Sequence, residues 1–113
     1  MNPDRPALAP AVTTYFALME GPDKLRVIDV FTPDAVVVDD GRTYRGRDAV
    51  RTWLTGAASE FTTTSTRLSA EQAGTTATVV VLLEGDFPGG RVELTHTFEL
   101  GPDGLVRALS ISA

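Results

Sequence analysis

The stretch Arg91-Val-Glu-Leu-Thr-His-Thr-Phe-Glu-Leu100 decides the fold class of this chain. Apolar residues and one histidine alternate with polar residues along it, and this period of two is typical of a β-strand with one buried face. The inward set is Val92, Leu94, His96, Phe98 and Leu100. The pattern therefore predicts that His96, the only histidine, lies among apolar neighbours, where an imidazole needs a hydrogen bond or a function.

Further strands are predicted around this one, at 61–72, 75–87 and 105–112. The first is rich in threonine, and the second has a nearly continuous apolar centre. Short turns at 73–74, 88–90 and 101–104 separate the strands. Because strands joined by short turns pair antiparallel, we expect an antiparallel sheet.

Three helices are predicted in the first half of the chain. The first carries an apolar stripe at helical spacing, with Pro10 in its first turn and Gly21 after its end. The second begins at 22–23 and presents Leu25, Ile28 and Phe31, and the third covers 47–58. A short hairpin is predicted between the second and third helices, with strands at 35–39 and 42–45 and a turn at Asp40-Gly41.

This order predicts the α+β class, a cone-like curved antiparallel sheet with three N-terminal helices packed on its concave face. A helix across a bent sheet leaves a pocket between the layers, and ligand sites usually occupy such concave spaces. We expect one domain over 1–113, with 1–7 as an extended arm.

The composition excludes several functions. The 113 residues include 10 basic and 15 acidic side chains, which argues against nucleic-acid binding and against an anionic membrane surface. There are no cysteines, so neither disulfides nor thiolate chemistry is available. We expect no metal, no cofactor and no membrane span, and the absence of an apolar leader predicts a cytoplasmic protein.

The order of elements resembles the nuclear transport factor 2-like α+β cone. Two segments carry the resemblance: Phe31-Thr-Pro-Asp-Ala-Val-Val-Val-Asp-Asp40, and Tyr44-Arg-Gly-Arg-Asp-Ala-Val-Arg-Thr-Trp53. This fold hosts enzymes, binders and transport adaptors alike. The resemblance also implies a homodimer through the open face of the sheet, and the last strand, which is apolar on both sides, supports this independently.

Two enzyme branches of that superfamily are similar to this chain. Comparison with the Δ5-3-ketosteroid isomerases implies that Tyr15 is an oxyanion donor and Asp39 the base. His96 stands where that branch has a carboxylic acid, which is a departure, although a histidine also donates a hydrogen bond. The polyketide cyclases of the SnoaL-like branch use an acid–base pair in the same cavity and are an equally natural comparison.

The residues themselves support the same three candidates, each with an alternative. Tyr15 lies on the apolar stripe of the first helix, where it could equally complete the core. Asp39 ends a strand. It is either a buried base or a solvated turn residue like Asp40. His96 is a candidate donor or a core histidine bonded to the main chain.

We predict that Phe16, Phe31, Trp53 and Phe98 contact an apolar small molecule. Trp53 also fits a plain core position, and Arg67 is either an anion partner or a surface residue. The function predicted is an isomerase or cyclase that abstracts a proton next to the carbonyl of an apolar ketone, with Asp39 as base and Tyr15 and His96 as donors. The alternative is a non-catalytic ligand-binding or dimeric interaction module of the same fold.

Overall fold

Six strands form one curved sheet, and the computed structural model describes residues 8–56 and 62–113. The predicted α+β class is confirmed, with two α-helices and one 3₁₀ helix among the described residues. The elements in chain order are α1 (Pro10–Met19), the 3₁₀ helix (Lys24–Val30), β1 (Phe31–Asp39), β2 (Arg42–Arg45), α2 (Gly46–Thr55), β3 (Thr63–Ala73), β4 (Thr76–Gly85), β5 (Arg91–Leu100) and β6 (Val106–Ser112). The whole predicted arm at 1–7, the end of the predicted third helix at 57–58 and the start of the predicted strand at 61 lie outside the described residues.

The strand order across the sheet is β2-β1-β6-β5-β4-β3. Strands β3 to β6 form the antiparallel meander that the short turns predict, and β1 and β2 form the predicted hairpin. One pair differs from the predicted antiparallel arrangement, because β1 lies parallel to β6. The reason is topological: α2 carries the chain from β2 to the far edge at β3, and the meander then returns β6 alongside β1 in the same direction.

Helix α1 begins at a proline and has no side-chain cap of its own. Pro10 occupies its first turn, as predicted, and the preceding residue is Ala9, which has no side-chain acceptor. Instead, Oε1 of Gln72 on β3 accepts a 3.0 Å hydrogen bond from the Ala9 N–H. A residue 63 positions away therefore satisfies one of the free N–H groups at the start of the helix.

The second helix differs from the prediction in its helix type and in which of its side chains are buried. It is a 3₁₀ helix, so residues three apart lie above one another, and its buried side chains are Val27 and Val30. Leu25, expected on the buried face, is 52% exposed. Of the predicted face, Ile28 is half-buried, and Phe31 is fully buried as the first residue of β1.

Strand β1 begins four residues earlier than the predicted start at Ala35. Its pairing with β6 is interrupted between Phe31 and Val36. Pro33, which has no N–H to donate, lies within this interruption, so the strand tolerates it. The hairpin turn follows the prediction, since Asp40 and Gly41 both have positive φ, 53° and 76°, as a two-residue type I′ turn requires.

The core lies between the helices and one face of the sheet. Its largest fully buried side chains come from both layers: Tyr15, Phe31, Trp53, Leu54, Phe98 and Leu109. The predicted inward face of β5 is confirmed, with Phe98 fully buried and His96 7% exposed.

Candidate functional site

A cleft of about 1180 Å³ opens between the C-terminal half of α1 and the ends of the strands. Along β5 its wall runs from Val92 through Leu94 to His96. Phe98, the next residue on the same face, is not among the lining residues, so His96 marks the inner end on this strand. Each step of two residues along a strand adds about 7 Å, so the wall from Val92 to His96 is about 14 Å long.

Tyr15, Asp39 and His96 all line this cleft. They come from three elements: α1, the end of β1 and the middle of β5. The sequence predicts that three polar groups converge on one hollow, and the structure brings the three residues that carry them to the same cleft.

Tyr15 is almost completely buried, at 2% exposure. Its ring contacts Phe16, Phe98 and His96, with centroid distances of 5.0, 5.1 and 6.3 Å. Burial raises the pKa of the Tyr15 hydroxyl, and the negative charge of Asp39 raises it further. The group therefore stays a protonated hydrogen-bond donor at every physiological pH.

Asp39 is half-buried at the end of β1. Its Oδ2 accepts a 2.9 Å hydrogen bond from Nε1 of Trp53 on α2. Trp53 is 1% exposed, and a buried indole N–H needs such a partner. This hydrogen bond positions Oδ2 and does not involve Oδ1, the second carboxylate oxygen.

His96 lies at the inner end of the cleft with its ring stacked on that of Phe98. Burial lowers the pKa of His96 from its usual 6.5 to about 4, against a smaller opposing effect of hydrogen bonding to the backbone of Leu94 and Val79. Its Nδ1 is buried and has no hydrogen-bond partner among the described residues. The imidazole is therefore neutral at pH 7, with hydrogen-bonding capacity that the described part of the chain does not fill.

The four residues predicted to contact substrate fall into two groups. Phe16 and Trp53 line the cleft. Phe31 and Phe98 are fully buried and are not among its lining residues; both pack edge-on against Tyr15 from behind. Arg67 is exposed, and its guanidinium lies 5.3 Å from the centre of the Phe16 ring, a cation–π contact at the edge of the helix layer.

The described residues offer neither a metal-binding cluster nor a helix suited to a bilayer. Within 8–56 and 62–113, no group of three or more His, Asp or Glu side chains could hold a metal ion. In the same part of the chain, no helix has the length and apolar character to cross a membrane.

The model of the SnoaL-like domain family matches residues 12–109. The chain belongs to this family. The match includes every strand and both α-helices at least in part, as well as Tyr15, Asp39 and His96. A comparison with curated proteins found no match.

Solved structures agree with this membership. A candidate polyketide cyclase from Sinorhizobium meliloti shares 31% sequence identity with a TM-score of 0.86, and the alignment covers 93% of this chain and 95% of the other. The Δ5-3-ketosteroid isomerase of a Mycobacterium species has the same fold at 19% identity, with a TM-score of 0.75 and coverage of 91% and 89%. A Mycobacterium tuberculosis protein in complex with estradiol-17β-hemisuccinate also has this fold, at 16% identity, a TM-score of 0.76 and coverage of 91% and 90%.

The sequence pattern does not predict the Trp53–Asp39 hydrogen bond. It presents Trp53 as a core or pocket residue, and Asp39 as a base without a partner. The need of a buried indole N–H for an acceptor is the available signal. Choosing among the acids nearby requires the angle at which α2 crosses β1, which the sequence pattern does not contain.

Proposed function

We propose that this chain is an enzyme of the isomerase or cyclase type that abstracts a proton next to the carbonyl of an apolar ketone. The observation that carries the proposal is that Tyr15, Asp39 and His96 line one cleft together with apolar side chains of α1, β4 and β5. A base and two hydrogen-bond donors opposite it are the groups that enolate formation requires. The cyclase and isomerase relatives agree with this reaction class.

In the proposed reaction, Oδ1 of Asp39 takes a proton from the carbon next to the carbonyl. The electrons of the broken C–H bond form a carbon–carbon double bond, and the carbonyl oxygen becomes an enolate oxygen. The hydroxyl of Tyr15 and an N–H of neutral His96 donate hydrogen bonds to that oxygen. In an isomerisation, Asp39 returns the proton to another carbon and the enolate oxygen becomes a carbonyl oxygen again. In a cyclisation, the enolate carbon attacks a second carbonyl carbon of the same molecule, the π bond of that carbonyl breaks, and its oxygen takes the proton from Asp39.

The walls of the cleft support an apolar substrate. Part of the lining is aliphatic or aromatic, from Phe16, Met19, Val81, Leu83, Val92 and Leu94, and part is polar, from Glu20, Lys24, residues 62–65 and Arg91. The apolar part binds an apolar body by removing its surface from water, and the few polar groups at the inner end orient it. The Mycobacterium tuberculosis relative that binds a steroid ester shows that this fold accommodates a ligand of that kind.

Deuterium exchange into simple ketones tests the proposal without requiring the natural substrate. The protein is incubated in D₂O with a panel that comprises 5-androstene-3,17-dione, 2-cyclohexenone and a cyclic β-diketone, and deuterium next to the carbonyl is measured by mass spectrometry. We expect exchange above the uncatalysed rate for at least one ketone, and its loss in Asp39→Asn. Asp29→Asn is the matched control, because it makes the same chemical change at an exposed residue that does not line the cleft.

Two results would overturn the proposal: no ketone of the panel exchanges faster than in buffer, or Asp39→Asn exchanges as fast as the parent. A thermal-shift measurement of Tm with the same ketones distinguishes an enzyme from the alternative, a non-catalytic binding module. A dose-dependent rise in Tm without exchange would indicate a binding protein rather than an enzyme.

We also propose that the chain forms a homodimer through the sheet face opposite the helices. Val36, Val38, Val80 and Leu82 lie on that face and are only half-buried in the single chain. Pairing of two such faces would remove apolar surface from water. Light scattering coupled to gel filtration should give twice the 12.0 kDa chain mass for the parent. For Leu82→Glu it should give the mass of one chain. A monomeric parent would contradict this proposal.

A further inference from the structure

Ile111 lies between the Asp39 carboxylate and the His96 imidazole. On one side Ile111 pairs with Asp39 across β6 and β1, and on the other it pairs with His96 across β6 and β5. Directly paired residues project from the same face of a sheet, so the three side chains form one row on the cleft side. Ile111 itself lines the cleft and is 7% exposed.

This row keeps the two polar groups apart. Neighbouring strands are about 4.8 Å apart, so the backbones of Asp39 and His96 are separated by about 10 Å, with the aliphatic side chain of Ile111 in the interval. An isoleucine has no atom that could bridge the carboxylate and the imidazole by hydrogen bonds.

The electrostatics of the site agree with this separation. The charged and titratable groups that line the cleft together with His96 are Tyr15, Glu20, Lys24, Asp39, Asp40 and Arg91. Arg67 on β3 lies over the Phe16 ring. The charge of Asp39 acts on the Tyr15 hydroxyl. The pKa of His96 is set by burial and by the nearby backbone of Leu94 and Val79, with no resolved effect of Asp39.

We propose that Ile111 is a positioning residue that insulates the Asp39 carboxylate from the His96 imidazole, so that only a bound substrate connects them. The inference rests on the proposed function, since it assigns the base and the donor to the two ends of one row. Its consequence for the substrate is geometric. The reacting carbon and the carbonyl oxygen must together span the gap above Ile111, and the part of the molecule that faces the sheet there must be apolar.

An isosteric pair of variants tests the insulation. Ile111→Val and Ile111→Thr have β-branched side chains of nearly equal shape, and only the threonine adds a hydroxyl. Because the chain has a single histidine, NMR titration reports the imidazole pKa of His96 without overlap. We expect Ile111→Thr to raise this pKa by about one unit, a tenfold change in proton affinity, relative to Ile111→Val, because the hydroxyl and its water stabilise the imidazolium and link it to the carboxylate.

Val81→Thr is the matched control. Val81 lines the cleft on β4, but it pairs with Leu94 and Arg67, outside the row of Ile111. We expect it to leave the His96 pKa within a few tenths of the parent value. Either of two results would overturn the proposal: the His96 pKa rises equally in Val81→Thr and Ile111→Thr, or it is the same in Ile111→Thr and Ile111→Val.

A second background decides whether the effect runs through Asp39. In the Asp39→Asn background, the difference in His96 pKa between Ile111→Thr and Ile111→Val should shrink to less than half, because the carboxylate charge is gone. An undiminished difference would contradict insulation from Asp39. All these titrations use the ligand-free protein, so they decide the role of Ile111 even if the ketone exchange experiment fails.

Discussion

The indole N–H of Trp53 donates a 2.9 Å hydrogen bond to Oδ2 of Asp39, and so connects the buried face of α2 to the end of β1. The bond positions the carboxylate with respect to Tyr15, whose hydroxyl senses the Asp39 charge. A side chain that completes the core thus also orients the proposed base. Core packing and site geometry therefore depend on each other at this point of the fold.

Trp53→Phe should lower the free energy of unfolding by about 1–3 kcal/mol. The substitution removes a hydrogen bond to a charged acceptor and part of a buried ring. Urea denaturation measures the loss. In the background of Asp39→Ala, which has no acceptor, the same substitution should cost clearly less, and an equal cost in both backgrounds would mean that the hydrogen bond contributes nothing.

Tyr15→Phe should slow ketone exchange about 100-fold, because one preorganised donor to the enolate oxygen is lost. The fold should persist, since the ring remains in its aromatic cluster. Tyr44→Phe makes the same change at the other tyrosine of the chain, on β2, and should leave the rate unchanged. Equal rates in the Tyr15→Phe variant and the parent would exclude Tyr15 as a donor.

The protein should lose stability as the pH falls from about 6.5 to about 4 because of His96. Its pKa in the folded state, about 4, lies below the 6.5 of an unperturbed histidine, so the unfolded chain binds the proton first. This contribution is fully present above pH 6.5, is lost progressively as the pH falls towards 4, and amounts to about 3 kcal/mol at most. Chemical denaturation at several pH values measures it.

His96→Phe isolates this effect from the carboxylates that titrate in the same range. The aromatic ring packs against Phe98 and Phe16, where the imidazole lies now. The stability of the parent relative to this variant should decrease as the pH is lowered. A difference that does not change between pH 7 and pH 4 would show that His96 is not titrating as described.

Gln72→Ala should lower the free energy of unfolding by about 1–2 kcal/mol, because α1 loses the acceptor for the Ala9 N–H and the Gly74 carbonyl loses the donor from Nε2 of Gln72. Glu71→Ala, on the exposed face of the same strand, is the control and should change stability by less than about 0.5 kcal/mol. Thermal or urea denaturation compares the two. Similar losses in both variants would mean that the contact with α1 is not the cause.

Much of the fold could be predicted from local patterns. The alternation in β5 and the turns around it determine which faces are buried, because a strand shifted by one residue would expose every apolar side chain. The apolar stripe of α1 determines that Tyr15 points inward. The second helix is harder to predict, since Leu25 and Val27 are both apolar and only its 3₁₀ geometry decides which of them is buried.

The α+β class, the strands of the meander and the inward direction of Tyr15 and His96 follow from local patterns, because they depend on periodicity and on turn chemistry within a few residues. Three relationships exist only in the packed chain: β6 lies parallel to β1, Ile111 pairs with both Asp39 and His96, and Trp53 donates a hydrogen bond to Asp39. These relationships join residues from different elements, and they follow from the crossover through α2 and from the angle at which it packs. Local periodicity contains neither, since both result from the fit of the whole core.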